Sequence, residues 1–309
     1  MNIELIDRPC PLCGGGETKV IYASRYPRDY ELRDFMKVYR SASDNSLMDQ
    51  LVQCRDCGLL YVNPLPKGDL ILSGYEDAED PVFVNQNPFR IRTFEKNMTS
   101  LMKKFEIPKG VRVLDVGCAG GAFPKAASNL GLLPTGVEPS VWMCDFARRK
   151  YGLDIRAGTL EEQAFAEKSF DIVTFWDVLE HLTQPGDALS ASNRVLKDNG
   201  LLMLTFPDIG SKLARLMGRK WPFLLSVHLT YYTRKTIESH LKKMGFLVLH
   251  TRAYWQTLSL EYIFARASSV LGKAGLPLKY VSNGLRRMKL GNIPFSYYMA
   301  QSLVVARKK

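Results

Sequence analysis

Beyond Glu261 the sequence contains no acidic residue. The shortage begins earlier: residues 210–309 carry 18 Lys and Arg but only two acids, Glu238 and Glu261, a balance of +16. Residues 1–209 carry 24 basic and 29 acidic side chains, a balance of −5. The formal net charge of +11 therefore joins a slightly acidic portion to a strongly basic one. No run of about 18 uncharged apolar residues occurs, which argues against a membrane-spanning helix. The first residues, MNIELIDRPC, lack the basic-then-apolar layout of a secretory leader, so a cytoplasmic chain is expected. Internal repeats and low-complexity tracts are also absent. An apolar fraction of 46% excludes wholesale disorder, and 309 residues allow one large domain or two smaller ones.

Cysteine is sparse, with six residues, yet four of them form two C-x-x-C pairs: Cys10 and Cys13 in RPCPLCGG, and Cys54 and Cys57 in VQCRDCGLL. Thiolates at this spacing share a tight turn, and two such turns complete a tetrahedral zinc site with no open position. Gly14 and Gly58 directly follow the pairs and suit the backbone of a knuckle. Disulfides are disfavoured in a reducing compartment, and no thioredoxin-like βαβ context surrounds either pair. Structural zinc is the expectation. Cys118 and Cys144 stand alone and read as small buried side chains.

Residues 1–66 read as this cysteine module and 67–110 as an acidic linker or lid followed by a helix from Pro88 to Phe105. From Val111 onward, short apolar runs (VRVLDVG, LPTGVE, SFDIVTFWD, GLLMLTF) alternate with helical stretches near 122–130 and 184–196. That alternation predicts a mostly parallel sheet wrapped by helices. GFLVLHTRAYW and SYYMAQSLVVARK are expected to complete it. The fold class is α/β, Rossmann-like, with a small zinc-ribbon-like module in front.

The turn in VRVLDVGCAGGAFPKAA lies where open parallel sheets bind ligands. A dinucleotide fingerprint starting at Gly117 needs glycines at 119 and 122, and alanines stand at both. Asp115 precedes the turn and would repel a pyrophosphate but welcome an amino group. Glu138 ends the next strand, where a carboxylate can accept both hydroxyls of a ribose. A ribose, a cationic head and little phosphate describe S-adenosylmethionine (SAM).

Here the chain resembles the class I SAM-dependent methyltransferases. DVGCAGG is similar to their first motif, with Ala119 where a glycine often stands, VEPS to their second and SFDIVTFWDVLEHL to their fourth. The resemblance covers about 88–252 and implies a seven-stranded sheet. It implies that Asp115, Gly117, Cys118, Ala119 and Gly121 hold the amino-acid end of SAM and Glu138 the ribose. Thr159 and Leu160 would then lie near the adenine, and Asp177 beside the methyl group.

Two groupings are candidates for acceptor chemistry. Asp177, Glu180 and His181 resemble the E-x-x-E-H of ubiquinone-pathway O-methyltransferases, where a divalent metal activates a catechol. The second is SVHLTYYTRKT, in which His228, Tyr231 or Tyr232 serves as a base and Thr233 caps a helix. This segment, with CRDCGLLYVNPLP, resembles a methyltransferase subfamily encoded among polysaccharide and glycolipid genes. The resemblance implies a sugar or hydroxyl acceptor, small or lipid-linked and anionic. The alternatives are a metal-assisted quinone or phenol O-methyltransferase and a non-catalytic SAM- or zinc-binding interaction protein.

The basic excess concentrates in an insertion at about 208–235 and a segment at about 258–295. Leu213, Leu216 and Met217, then Trp221, Phe223 and Leu224, are bordered by Lys212, Arg215, Arg219 and Lys220. The later segment mixes apolar spacing with Lys273, Lys279, Arg286, Arg287 and Lys289. Such faces fit an anionic inner-membrane surface as a peripheral partner. No recognised RNA- or DNA-binding module appears, so nucleic acid is not expected.

Overall fold

A computed structural model describes residues 5–26, 38–39, 46–66, 69–76, 79–271, 275–288 and 290–309. The N-terminal strands are short: β1 (Leu5–Ile6), β2 (Thr18–Tyr22), β3 (Leu51–Cys54), β4 (Leu60–Val62) and β5 (Leu65–Pro66). There follow β6 (Arg112–Val116), β7 (Leu133–Glu138), β8 (Asp154–Ala157), β9 (Phe170–Trp176) and β10 (Leu196–Pro207). The last three are β11 (Thr230–Tyr231), β12 (Phe246–Ser259) and β13 (Pro294–Lys308).

The seven-stranded sheet has the order β12-β13-β10-β9-β6-β7-β8. Its five strands from β6 to β10 are parallel, while β13 runs antiparallel to both β10 and β12. Because side chains alternate across a strand, each central strand feeds two cores. Val113, Ile172, Met203 and Leu303 face the helices Asn87–Lys104 and Ala122–Asn129. Leu114, Val173, Leu204 and Val304 face Ala188 and Leu189 of the helix Pro185–Val195 and Ile237 of the helix Arg234–Lys243. Thr233 caps that last helix as its sequence predicts, accepting from the Thr236 amide at 3.1 Å.

The cysteine module does not stand apart from this core. Its Val52, Leu59 and Tyr61 pack in one cluster with Phe175, Leu204 and Phe206. Its four-stranded sheet, β11-β4-β3-β2, is completed by a strand from the basic insertion, with Thr230 opposite Tyr61 and Tyr231 opposite Leu60. The insertion is packed rather than interfacial: Trp221 and Leu224 are buried, and Leu213 and Met217 are half-buried beside them. Only Leu216 of that expected apolar face is strongly exposed. The expected lid carries the helices Asp69–Glu76 and Pro81–Val84 and lies against the sheet's ligand edge.

Arg8 is the stitch between the two parts. Its Nη1 donates to the Thr183 carbonyl at 2.7 Å, its Nη2 to the Leu229 carbonyl at 3.1 Å and its Nε to the Val62 carbonyl at 3.3 Å. Burial lowers its pKa to about 10, and the ring of Tyr61 lies 5.4 Å from the guanidinium. Removing the cation takes three hydrogen bonds, each worth roughly 1 kcal/mol, and leaves the Leu229 carbonyl only its bond from the Val62 amide. Arg8→Met should therefore lower unfolding stability by about 3 kcal/mol in urea titration, whereas Arg149→Met, on the exposed helix face, should change it by under ~0.5 kcal/mol.

Candidate functional site

After β6 the chain turns through Gly117, with φ of 67°, and Gly121, with φ of 76°, into the helix Ala122–Asn129. A Cβ on Gly117 would meet Val178 at 2.8 Å, and one on Gly120 would meet Val84 at 2.6 Å. Close approach therefore demands both glycines. It also places the turn beneath Val84 of the lid, whose neighbour Asn87 donates to the Gly120 carbonyl at 2.8 Å. Ala119 adopts a left-handed φ of 45°, which costs an alanine ~1 kcal/mol. Its amide donates to Glu138 Oε2 at 2.9 Å, a charge-assisted bond that offsets this strain.

Asp115 and Glu138 end neighbouring parallel strands, and both are buried. Thr174, opposite Asp115 on β9, donates to its Oδ1 at 2.6 Å. Glu138 accepts from the amides of Ala119 and Ser140 at 2.9 and 3.0 Å. Burial pushes the Asp115 carboxyl well above the usual carboxylate range, and the charge of Glu138 adds to it. Glu138 is also raised by burial, opposed by its two amide bonds. Two buried carboxylates whose shifts include no cationic relief call for a cationic ligand. The ammonium and ribose hydroxyls of SAM fit that requirement, since Glu138 retains lone pairs beyond its two bonds. Cys118 is buried at the same turn. Thr159 follows β8, the strand beside β7, and its amide donates to Glu162 at 2.7 Å, whereas Leu160 is a core residue of the main cluster.

Asp177 follows β9 with a left-handed φ of 57°. Its carboxylate accepts from Thr205 at 2.8 Å, Gln256 at 3.1 Å and Gln301 at 2.6 Å. Burial raises it, and those donors together with the charge of Arg90 oppose the shift. Asp177 lines a cavity with Arg90, Thr93, Trp176, Tyr254 and Gln256. Within this lining the Arg90 Nε and Trp176 Nε1 donors are buried and have no partner among the described residues.

Glu180 and His181 do not join Asp177. They meet His228, and one ligand atom from each of the three lies within 4.8 Å of the others. Nδ1 of His181 lies 3.0 Å from the Val227 carbonyl and 2.7 Å from the Tyr75 hydroxyl, and Nδ1 of His228 lies 2.8 Å from the Phe223 carbonyl. A carbonyl only accepts, so Nδ1 of His228 carries hydrogen and its Nε2 keeps a lone pair, whereas Nδ1 of His181 faces both a carbonyl and a hydroxyl. Burial holds His181 at about 4 and His228 well below the usual imidazole range, so both are neutral. Neither oxygen of the buried Glu180 carboxylate has a partner among the described residues. The expected bases Tyr231 and Tyr232 are core residues instead. The Tyr231 hydroxyl donates to the Leu225 carbonyl at 2.7 Å, and that of Tyr232 lies 3.4 Å from His240 Nδ1. Neither tyrosine lines the cavity.

The four paired cysteines converge as their spacing predicts, within 4.8 Å of one another. Cys10 to Cys57 and Cys13 to Cys54 are each 3.5 Å between sulfurs, and none is in a disulfide. A tetrahedral ion with sulfurs at ~2.3 Å spaces them about 3.8 Å apart, so the cluster fits a metal. Each knuckle closes in the same way: the Gly14 amide donates to the Cys10 carbonyl at 2.8 Å and that of Gly58 to Cys54 at 3.0 Å.

Sequence reading missed Arg8, Tyr75, Gln256 and Gln301. All four act across long separations, and only the Tyr75 hydroxyl above the ligand edge had a local hint, an aromatic within an acidic lid.

A family model described as a methyltransferase domain matches residues 89–251, just over half of the chain. The mitochondrial ubiquinone biosynthesis O-methyltransferase of Schizosaccharomyces pombe is 33% identical over 115 residues, 35% of this chain and 42% of that protein. The ubiquinone biosynthesis O-methyltransferase of Histophilus somni is 32% identical over 130 residues, covering 38% and 51%. The chain thus spans about half the length of these relatives. A SAM-dependent methyltransferase structure from Thermotoga maritima aligns with TM-score 0.47 and 22% identity over 72% of this chain and 91% of that one.

If Asp115 meets the ammonium of SAM, protonating it removes the attraction. Its raised pKa then makes affinity fall as pH drops through that value. Calorimetry should show SAM binding weakening on acidification in the wild type and a flatter, weaker profile in Asp115→Asn. A profile unchanged by the substitution counts against the assignment.

Proposed function

The chain belongs to the SAM-dependent methyltransferase family, and from that premise we propose that its acceptor is a hydroxyl of a sugar or of a cell-surface polysaccharide or glycolipid intermediate. The cavity beside Asp177 carries this reading. Trp176 and Tyr254, packed on each other with ring centroids 5.9 Å apart, give the lining an apolar side, while Arg90, Thr93 and Gln256 supply polar groups for a sugar's oxygens. The orphaned Arg90 and Trp176 donors call for an oxygen-rich occupant, because a buried unpaired donor is costly.

SAM supplies an electrophilic methyl group on a sulfonium. Asp115 and Glu138 orient the donor, and the cavity aligns the acceptor oxygen for in-line attack. As the oxygen–carbon bond forms and the carbon–sulfur bond breaks, the hydroxyl proton passes to Asp177. The three donors around Asp177 fix its orientation for that transfer. The four-thiolate cluster takes a structural zinc ion that holds its two knuckles together and has no part in transfer. Asp177→Asn should lower kcat by about 100-fold while SAM affinity, read by calorimetry, stays within about twofold. Equal loss of both would reject Asp177 as the proton acceptor.

A second reading has its own observation. Glu180, His181 and His228 bring one possible ligand atom each within 4.8 Å of the others, which fits a divalent ion on a two-histidine, one-carboxylate set. It supports metal-assisted methylation of a phenolic hydroxyl in this chain, whose relatives are O-methyltransferases of ubiquinone biosynthesis. Under this reading the purified protein carries two metal equivalents per chain by plasma emission analysis. His228→Gln then retains the thiolate-bound equivalent and loses the other. A single equivalent in the wild type, with zinc supplied in excess and dialysed away, defeats it.

A further inference from the structure

We propose that the helical excursion between β12 and β13 is a docking surface for an anionic lipid bilayer. The helices Leu260–Leu271 and Leu276–Arg287 interrupt the hairpin of these two strands. The second helix is fastened to the first at Glu261, whose carbonyl accepts from Ser282 Oγ at 3.2 Å and whose carboxylate accepts from Arg286 Nε at 2.6 Å. Ser282 is buried on that side, with Leu278 and Leu285 half-buried.

The opposite face is apolar and open. At 100° per residue Leu276, Tyr280 and Met288 fall within one third of the helix circumference, with Arg287 between the first two and Val281 just beyond Met288. Tyr280 is 74% exposed and Met288 62%, and the apolar surface continues through exposed Leu290 and Ile293. Arg287 stands within the stripe and Lys279 beside it, both exposed. Arg286 is paired with Glu261, the last acid of the sequence, so no later acid is available to neutralise its neighbours. Lys273 and Lys289 lie outside the described residues, and the proposal does not need them.

Charge complementarity selects the occupant. An apolar stripe whose charged neighbours Lys279 and Arg287 are both cations matches acyl chains beneath anionic headgroups. A second copy docked symmetrically would set Lys279 and Arg287 against their own counterparts, which repel. No helix among the described residues is long and apolar enough to cross a membrane, so the contact is peripheral. Gln256, Thr257 and Leu258, which line the acceptor cavity, stand in β12 immediately before the first helix. A docked bilayer would present a lipid-linked acceptor near that cavity. This consequence rests on the proposed acceptor, whereas docking does not.

Flotation of the full chain with phosphatidylglycerol–phosphatidylcholine vesicles tests docking without any acceptor. The expected result is capture at low salt, loss at high salt, and none by pure phosphatidylcholine. The pairs Tyr280→Ser with Met288→Ser and Lys279→Glu with Arg287→Glu should each reduce the bound fraction roughly tenfold while SAM affinity is unchanged. No capture at low salt, equal capture by neutral vesicles, or variants that bind as well as the wild type would overturn the proposal. So would a dimer in sedimentation velocity that Tyr280→Ser with Met288→Ser separates, since a second copy would then cover the stripe.

Discussion

Everything around the acceptor side depends on a short antiparallel ladder between β4 and β11. Leu229, just before β11, accepts from the Val62 amide at 2.9 Å and donates to the Glu180 carbonyl at 2.7 Å. One residue thereby ties the cysteine module, the basic insertion and the turn after β9. Arg8 covers the same junction from the side, bonded to the carbonyls of Thr183 and Leu229. The thiolate cluster sets the shape of the module, and the module sets the position of the segment that carries His228. An ion held by these thiolates would thus act on the position of His228 through backbone hydrogen bonds.

The ligand edge has a complementary logic. Buried carboxylates accumulate there: Asp115, Glu138, Asp177 and Glu180 are all raised by burial. In a protein of net charge +11, none of the six Asp/Glu ion pairs described involves these four. These four sit at or just beyond the ends of parallel strands, and among them Asp177 has the charge of Arg90 nearby. That placement keeps the interior ready for a positively charged donor, while neutral donors, Thr174, Thr205, Gln256 and Gln301, hold the carboxylates in place.

What could be read from residues alone followed the range of the interaction. The cysteine knuckles, the glycine turn, Asp115 and Glu138 are defined by neighbours within a few positions, and each was legible. The helix Val141–Tyr151 went unread although Ser140 caps it and Gly152 ends it, because VWMCDFARRKY has little apolar period. The partners of Asp177 were out of reach: Gln256 and Gln301 come from β12 and β13, and no local pattern marks a glutamine that crosses a sheet. His228 was singled out for its chemistry but assigned a free position above the donor. The fold instead turns it inward against His181, with ring centroids 4.6 Å apart. Tyr231 and Tyr232 were singled out because they follow His228 at short spacing, and their rings lie in the clusters where module and core meet.

The shared sheet also bears on the order in which the protein can be made. β4 emerges from the ribosome well before its partner β11, about 170 residues later along the chain. At 5–20 residues per second the interval is roughly 10–30 s. During that time the outer edge of β4 has no native strand beside it, and Leu59 and Tyr61 lack the core that later buries them. Early metal capture by the thiolates would keep the nascent module compact through this interval, making the ion a holder of unfinished structure before it becomes part of the finished one.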